Sequence, residues 1–263
     1  MGNEFIKSKV SDIEFGSFPV FSRYGVVNAV SFRTGGKSKN PYTSLNLALH
    51  TNDNTDTVIE NRELFFSVLN INYKDIITLK QIHSDKIFTV SENDRGRGAL
   101  DYENSLGAGD GLITSDLNTP LVIFTADCLS VFFLEYEKRI IGVVHSGWKG
   151  TFLNIAGKMV EEIEKLGGNP ENIIAGIGPG IEQKCYEVGS EFLDKFNEKY
   201  IEIKNKKYYF DMVMVNYDNL VKAGVKPENI FKSEMCTYCN EKELYSYRRD
   251  GETGRMASVI MLR

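Results

Sequence analysis

Three short apolar runs rich in β-branched residues follow one another closely: Leu121–Ala126, Ser130–Leu134 and Arg139–His145. Each is shorter than an ordinary helix, and none alternates apolar with polar residues. Such runs read as adjacent strands buried on both faces, which requires structure packed above and below them. Further strands are expected at Val26–Thr34, Asp75–Ile82, Lys86–Val90, Ile173–Ile177 and Met256–Met261. Helices are expected at Asp56–Leu69, with Asp56 as N-cap, and at Lys149–Leu166, which Gly167-Gly168 stops. Glu191–Lys199 and Met212–Ala223 complete the helices. Ser91–Asp110 is a long loop holding four glycines, a kind of segment that is often functional.

A pattern recurs. A helix and glycine lead into Asn169-Pro-Glu-Asn-Ile173 and a strand, and later into Lys226-Pro-Glu-Asn-Ile230 and a strand. Asn72-Tyr-Lys-Asp-Ile76 is a looser third copy. Each unit returns a helix to a strand, as in α/β proteins, where ligands gather beyond the carboxyl ends of strands. No Pro/Gly/Ser-rich linker divides the chain, so residues 1–263 are expected to form one α/β (α+β) domain. The net charge of −5, with scattered lysines, excludes the basic footprint of a nucleic-acid binder. No apolar run is long enough to span a bilayer. Residues 1–12 lack the cationic start and apolar stretch of a signal peptide. Four cysteines without such a signal suggest a cytoplasmic protein with free or metal-bound thiols.

His83, Cys128 and His145 share one context, the end of an apolar run opening into a polar loop. Taken singly, a histidine is commonly a satisfied, partly buried side chain, and a cysteine a small hydrophobe. The shared context points to a common site. Two histidines and a thiolate form a zinc ligand set with an open fourth position. The same residues also fit a cysteine nucleophile with His145 as base, and spacing leaves both mechanisms open. Asp127 is placed to orient a histidine or a water in either scheme.

Arg33, Arg62, Arg248, Arg249 and Arg255 are candidates for binding an anion, with Tyr245–Arg255 the densest segment. Asp110-Gly111 and Gly178-Pro179-Gly180 are tight-turn sequences that could bring backbone N–H groups to a ligand. Cys236-Thr-Tyr-Cys239 is a single Cys-x-x-Cys, read as a local turn with two thiols because no second pair accompanies it.

These strings together resemble the laccase-domain family (YfiH/YlmD type), once labelled multicopper polyphenol oxidases. The matching segments are Ser31–Gly36, Ser44–Leu47, Glu60–Arg62, Gln81–Ser84, Asp110–Leu112, Thr125–Cys128, His145–Gly150, Gly178–Gly180 and Tyr247–Gly251. Phe32 departs from the threonine common at that place. The resemblance implies one zinc ion at His83, Cys128 and His145. It implies layered mixed β-sheets with helices outside, similar to the cysteine-hydrolase-like fold of cytotoxic necrotizing factor. It implies phosphorolysis of purine nucleosides (adenosine, inosine, guanosine, S-methyl-5′-thioadenosine) and deamination of adenosine. Small-molecule nucleoside and phosphate are the expected partners, with no membrane and no nucleic acid. By the same analogy Arg62, then Arg33, contact the ligand, Asn46 reads a polar substrate edge, and Arg248 is a further contact. Alternatives are an amidase editing cytoplasmic muramyl precursors, a copper oxidase, or a metal-binding module without turnover. Three histidines cannot furnish a His-rich multicopper set, so copper ranks below zinc. Oligomeric state is left open.

Overall fold

The computed structural model describes residues 5–263; residues 1–4, which begin the segment read as lacking a signal peptide, lie outside the described residues. In chain order the strands are β1 (Ile6–Val10), β2 (Ile13–Ser17), β3 (Val26–Ser31), β4 (Ile87–Thr89), β5 (Gly111–Thr114), β6 (Leu121–Thr125) and β7 (Leu129–Glu135). They continue with β8 (Ile140–Ser146), β9 (Ile173–Ile177), β10 (Glu187–Val188), β11 (Ile201–Lys204), β12 (Lys207–Phe210), β13 (Ile230–Lys232) and β14 (Met256–Leu262). The helices are α1 (Pro19–Ser22), α2 (Thr55–Val68), α3 (Trp148–Phe152), α4 (Ile155–Lys165), α5 (Met212–Lys222) and α6 (Tyr247–Asp250).

Two large sheets pack face to face. One runs β1-β2-β3-β14-β6 and the other β13-β9-β7-β8-β5-β4, with a small sheet β10-β12-β11 to the side. Strand alternation builds the layers. From β7, Phe132 and Leu134 enter the core between the sheets, together with Leu121 and Ile123 of β6 and Ile260 of β14. Leu129, Val131 and Phe133 point the other way, onto Ile155, Met159 and Ile163 of α4 and Met212 and Leu220 of α5. On the far face, Val122, Phe124, Val259 and Met261 pack on Phe65 and Phe66 of α2. The result is the expected single α/β domain of mixed sheets with helices outside. No helix among the described residues is long and apolar enough to cross a membrane.

Several expectations are corrected. The three central runs are all strands, but β6 pairs with β14, in the sheet opposite β7 and β8. The chain therefore changes sheets between Thr125 and Leu129, and Cys128 sits on that corner. Residues 75–82 form no ladder. Their backbone is divided among Ile77, which bonds Pro120 and Val122, Thr78, which bonds Arg97 and Leu106, and Lys80, which bonds Gly107 and Gly109. The cap of α2 is Asn54, whose side chain accepts from Thr57 N, rather than Asp56. The helix expected at 149–166 breaks at Asn154, which adopts a left-handed conformation (φ 59°) and caps α4 by accepting from Gly157 N. The helix expected at 191–199 is replaced by two 3-10 turns, Ser190–Phe192 and Glu198–Tyr200. The Pro-Glu-Asn units are real: both are 3-10 turns feeding β9 and β13, which pair in parallel.

Candidate metal centre and cleft

His145 lies near the end of β8 and Cys128 immediately before β7, and the antiparallel register pairs Leu129 with Ser146. Cys128 therefore faces Gly147 across the ends of the two strands. A Cβ at Gly147 would stand 2.8 Å from Cys128 Sγ and 3.1 Å from His83 Cδ2, so only glycine leaves this space open. The donor atoms of His83, Cys128 and His145 lie within 4.8 Å of one another. The two imidazoles meet edge-on, with ring centroids 4.8 Å apart. The structure brings together the three residues that the sequence grouped.

Asp110 organises the trio, a role sequence reading assigned to Asp127. Its buried carboxylate accepts from His83 N (3.0 Å), Ile82 N (3.3 Å) and Ser84 N (2.5 Å). The Ser84 hydroxyl adds a fourth bond at 2.8 Å. His83 takes a left-handed φ of 59°, and successive N–H groups thereby converge on one anion. The same carboxylate accepts from His145 Nδ1 at 2.8 Å, while the Asp110 carbonyl accepts from His145 N at 2.7 Å. With Nδ1–H committed to a carboxylate, Nε2 of His145 is the nitrogen free for the trio. The sequence signal is an Asp-Gly at the mouth of an apolar strand, whose expected use is a tight turn that brings backbone N–H groups to a ligand; the structure instead uses the Asp110 carboxylate.

Asp127 has another task. It occupies the corner between sheets with φ 98°, a conformation unusual for a side chain with a Cβ. Its carboxylate accepts from Thr237 Oγ1 at 2.6 Å and Arg248 N at 2.7 Å, tying α6 and the 236–239 turn to the cleft floor. It does not touch the imidazoles through those bonds.

Electrostatics polarise the trio. Burial pushes the Cys128 thiol up, but the charge on His145 and hydrogen bonds from His145 and His83 outweigh it and hold the thiol down. Burial pushes His145 down, but the Cys128 thiolate and Asp110 win and raise it. Asp110 is held low despite burial, because His145 and Ser84 hydrogen-bond to its charged form. Cys128 and His145 thus favour the thiolate–imidazolium pair.

A cleft of about 460 Å³ opens above the trio. Phe124, Tyr186, Tyr247 and His50 supply aromatic faces, and Arg248 and Arg255 supply cations. Gln81 secures one wall by exchanging two hydrogen bonds with the backbone of Phe124, both 2.8 Å. His50 stands exposed at the rim, and desolvation by the protein around its ring, then the charges of Arg255 and Arg62, lowers its pKa and favours the neutral ring.

The other arginines do not reach this space. Arg62 is buried in α2 and donates to the carbonyls of Leu47 (2.8 Å), Gly98 (2.8 Å) and Ala99 (2.7 Å). It lies behind Phe124, 5.0 Å from the ring centroid, and braces the wall without lining the cleft. Arg33 donates to the carbonyls of Thr43 and Glu241 and stacks over Tyr245. Arg249 donates to the carbonyls of Thr237, Tyr238 and Leu244. Asn46 is fully buried: its amide donates to Thr51 and Asp53, and its oxygen accepts from Arg255 N at 3.0 Å. It positions Arg255 and presents no free edge to a substrate. The Gly178 and Gly180 N–H groups are likewise taken, by the carbonyls of Ser130 and Met235. Of the candidate arginines, Arg248 and Arg255 line the cleft; Arg248 stacks over Tyr186 and donates to the Glu187 carbonyl, and Arg255 donates to the carbonyls of Thr253 and Gly254.

Residues 27–263 match the family model described as multi-copper polyphenol oxidoreductase laccase. The chain belongs to this laccase-domain family. It is 35% identical over 244 residues to the purine nucleoside phosphorylase YlmD of Bacillus subtilis, covering 89% of this chain and 88% of the relative. It is 30% identical over 231 residues to the adenosine deaminase RL5 of an unknown prokaryotic organism, covering 84% and 88%. The crystal structure of YlmD from Geobacillus stearothermophilus superposes with a TM-score of 0.94 at 31% identity and covers 100% of both chains. This laccase-domain chain thus shares its whole fold with YlmD.

Proposed function

We propose that the protein is a zinc-dependent purine nucleoside phosphorylase that also deaminates adenosine, acting in the cytoplasm, where its four free thiols stay reduced. The observation that carries this reading is the His83–Cys128–His145 set, fixed by Asp110 at the floor of a cleft whose walls offer both aromatic faces and two guanidinium groups. Two imidazoles and a thiolate around a space kept open by Gly147 suit one zinc ion, and no further histidine joins the set among the described residues to build a multicopper centre. When bound, zinc would supply a Lewis acid that polarises a ligand and activates water near neutral pH. Asp110 holds His145 in the tautomer with Nε2 free, as carboxylates do behind metal-bound histidines.

The remaining residues divide the substrate between them. Phe124, Tyr186 and Tyr247 offer faces for a purine ring, and neutral His50 at the rim can hydrogen-bond its edge. Arg255 and Arg248 hold phosphate beside ribose C1′ as the base departs. Candidate substrates are adenosine, inosine, guanosine and S-methyl-5′-thioadenosine. Zinc-loaded protein given adenosine and phosphate is expected to release adenine and ribose 1-phosphate, with inosine from the deamination; absence of all three would remove the reading.

One observation favours a second activity. Cys128, His145 and Asp110 stand in the order nucleophile, base and orienting carboxylate, the constellation of cysteine-dependent acyl transfer. An amidase acting on a muramyl precursor would use it, and release of an amino acid from such a precursor by metal-free protein is the discriminating assay.

A further inference from the structure

The chain's three cysteines outside the cleft also converge. Cys185 ends the 3-10 turn Gln183–Cys185, and Cys236 and Cys239 bracket the turn 236–239, some fifty residues later in the chain. Their sulfurs lie within 4.8 Å of one another, with Cys185 Sγ and Cys239 Sγ 3.3 Å apart. Hydrogen bonds to the backbone hold the turns that carry them. Thr237 N donates to the Gly180 carbonyl (3.0 Å), and Asn240 donates to the Cys236 carbonyl through both N (3.1 Å) and Nδ2 (2.7 Å). Glu182 N points at Cys236 Sγ from 3.5 Å. Cys236 is buried, Cys185 half-buried and Cys239 exposed, so the cluster opens to solvent on one side.

We propose that Cys185, Cys236 and Cys239 form a second metal site, separate from the cleft trio, for a thiophilic d10 cation, Zn²⁺ or Cu⁺. Neutral thiols hydrogen-bond weakly, so hydrogen bonding does not account for three sulfurs meeting. A disulfide would use two and strand the third. Three thiolates are the donor set that selects zinc and copper(I) over hard cations. With metal–sulfur bonds of about 2.3 Å, the sulfurs of such a site stand roughly 3.8–4.0 Å apart, and shifts below about one ångström would bring them there. Binding releases the three thiol protons, and the open side leaves a fourth position to solvent. The ion would clip the 183–185 turn to the 236–239 turn. Both turns border the cleft: Tyr186 forms part of its wall, and Thr237 holds Asp127.

The test uses reduced, metal-free, full-length protein titrated anaerobically with Zn²⁺ alone and with Cu⁺ alone. Wild type is expected to bind about two ions, and Cys128→Ala and Cys239→Ser about one each. In Cys128→Ala, the bound ion should shield Cys185, Cys236 and Cys239 from alkylation, read residue by residue in a mass spectrum. Uptake of Zn²⁺ or of only Cu⁺ by Cys128→Ala supports the site and names its ion. A folded Cys128→Ala that takes up neither, or that instead yields a Cys185–Cys239 disulfide on air exposure without ever protecting Cys236, overturns it. Should Cys239→Ser fail to fold, the Cys128→Ala arm decides alone. Failure of the cleft assignment has a different signature: Cys239→Ser would then bind nothing.

Discussion

The floor and the roof of the cleft are built on opposite principles. On the floor, the ends of β7 and β8 place Cys128 and His145 by register, and a single buried carboxylate, Asp110, bonds the third residue and orients the second. Strand register and one carboxylate hold these side chains, so Cys128 Sγ and His145 Nε2 remain available. Around the roof, polar side chains hold the loops together. Arg33, Arg62, Arg249 and Asn46 are committed to carbonyls and neighbouring side chains, and Arg248 and Arg255 alone among the candidate arginines line the cleft. Abundant arginine in such a loop therefore marks loop architecture as much as anion binding.

Removing a floor residue should have the largest effect. Cys128→Ala is expected to lose zinc from the cleft and at least a hundredfold in turnover with little loss of helix signal, since ligands matter more than the residues behind them. Retained cleft zinc by metal analysis would erase the distinction between floor and roof. Asp110→Asn should come next, with a loss of about 10–100-fold in metal affinity or activity, because an amide nitrogen would meet His145 Nδ1–H. Isothermal titration with zinc reads this directly.

Two arginine variants sharpen the contrast. Arg62→Ala strips three buried carbonyls of their donor and should cost on the order of 3 kcal/mol in denaturant unfolding. Arg255→Ala takes the donor from the part-buried carbonyls of Thr253 and Gly254, so it should cost less stability than Arg62→Ala while raising KM for phosphate by roughly tenfold, the weight of one charge-assisted contact. The reverse pattern would mean that Arg62, not Arg255, meets the ligand.

A smaller effect concerns pH. Cys128 is depressed in the fold, so its contribution to stability is present above the unfolded thiol value and declines as pH falls towards the folded one. His145 is raised, so its contribution is present below the unfolded imidazole value and declines as pH rises towards the folded one. Between the ordinary values of about 6.5 and 8.5 the folded thiolate–imidazolium pair and the unfolded thiol–imidazole pair hold equal numbers of protons, so the pair adds no pH slope there. Asp110, held low, adds stability that fades as acid protonates it below about pH 4. Metal-free protein should therefore show a Cys128 thiolate in the ultraviolet well below the usual thiol range, and His145→Ala should abolish it. A Cys128 that titrates at the ordinary value in both would contradict the polarised floor.

What was legible in the sequence follows from how far each feature's cause reaches along the chain. Strands β3, β9 and β14 and helix α5 announce themselves locally, as do the strand-end positions of Cys128 and His145. That β6 belongs to the opposite sheet could not be read, because Leu121–Thr125 is apolar on both faces whichever sheet receives it. Asp110 was hidden in a glycine-rich loop, 27 residues from His83 and 35 from His145, and only folding makes it their common partner. Arg62 did leave a trace: it stands four residues after Val58 and three before Phe65, inside the buried stripe of α2, where an arginine must be satisfied by protein rather than ligand. The third cysteine of the thiol cluster is illegible for the same reason as Asp110. Cys185 is 54 residues from Cys239, and a lone Cys-x-x-Cys gives no hint of it.

The central claim is that the trio holds one zinc ion and works on nucleosides. The most direct measurement follows adenosine and phosphate with zinc-loaded protein and with folded Cys128→Ala, while metal content is counted in both. The account predicts adenine, ribose 1-phosphate and inosine from the first and none from the second, with the cleft ion lost in step. A zinc-loaded, folded protein that forms none of these products, or a Cys128→Ala that forms them undiminished, would contradict it.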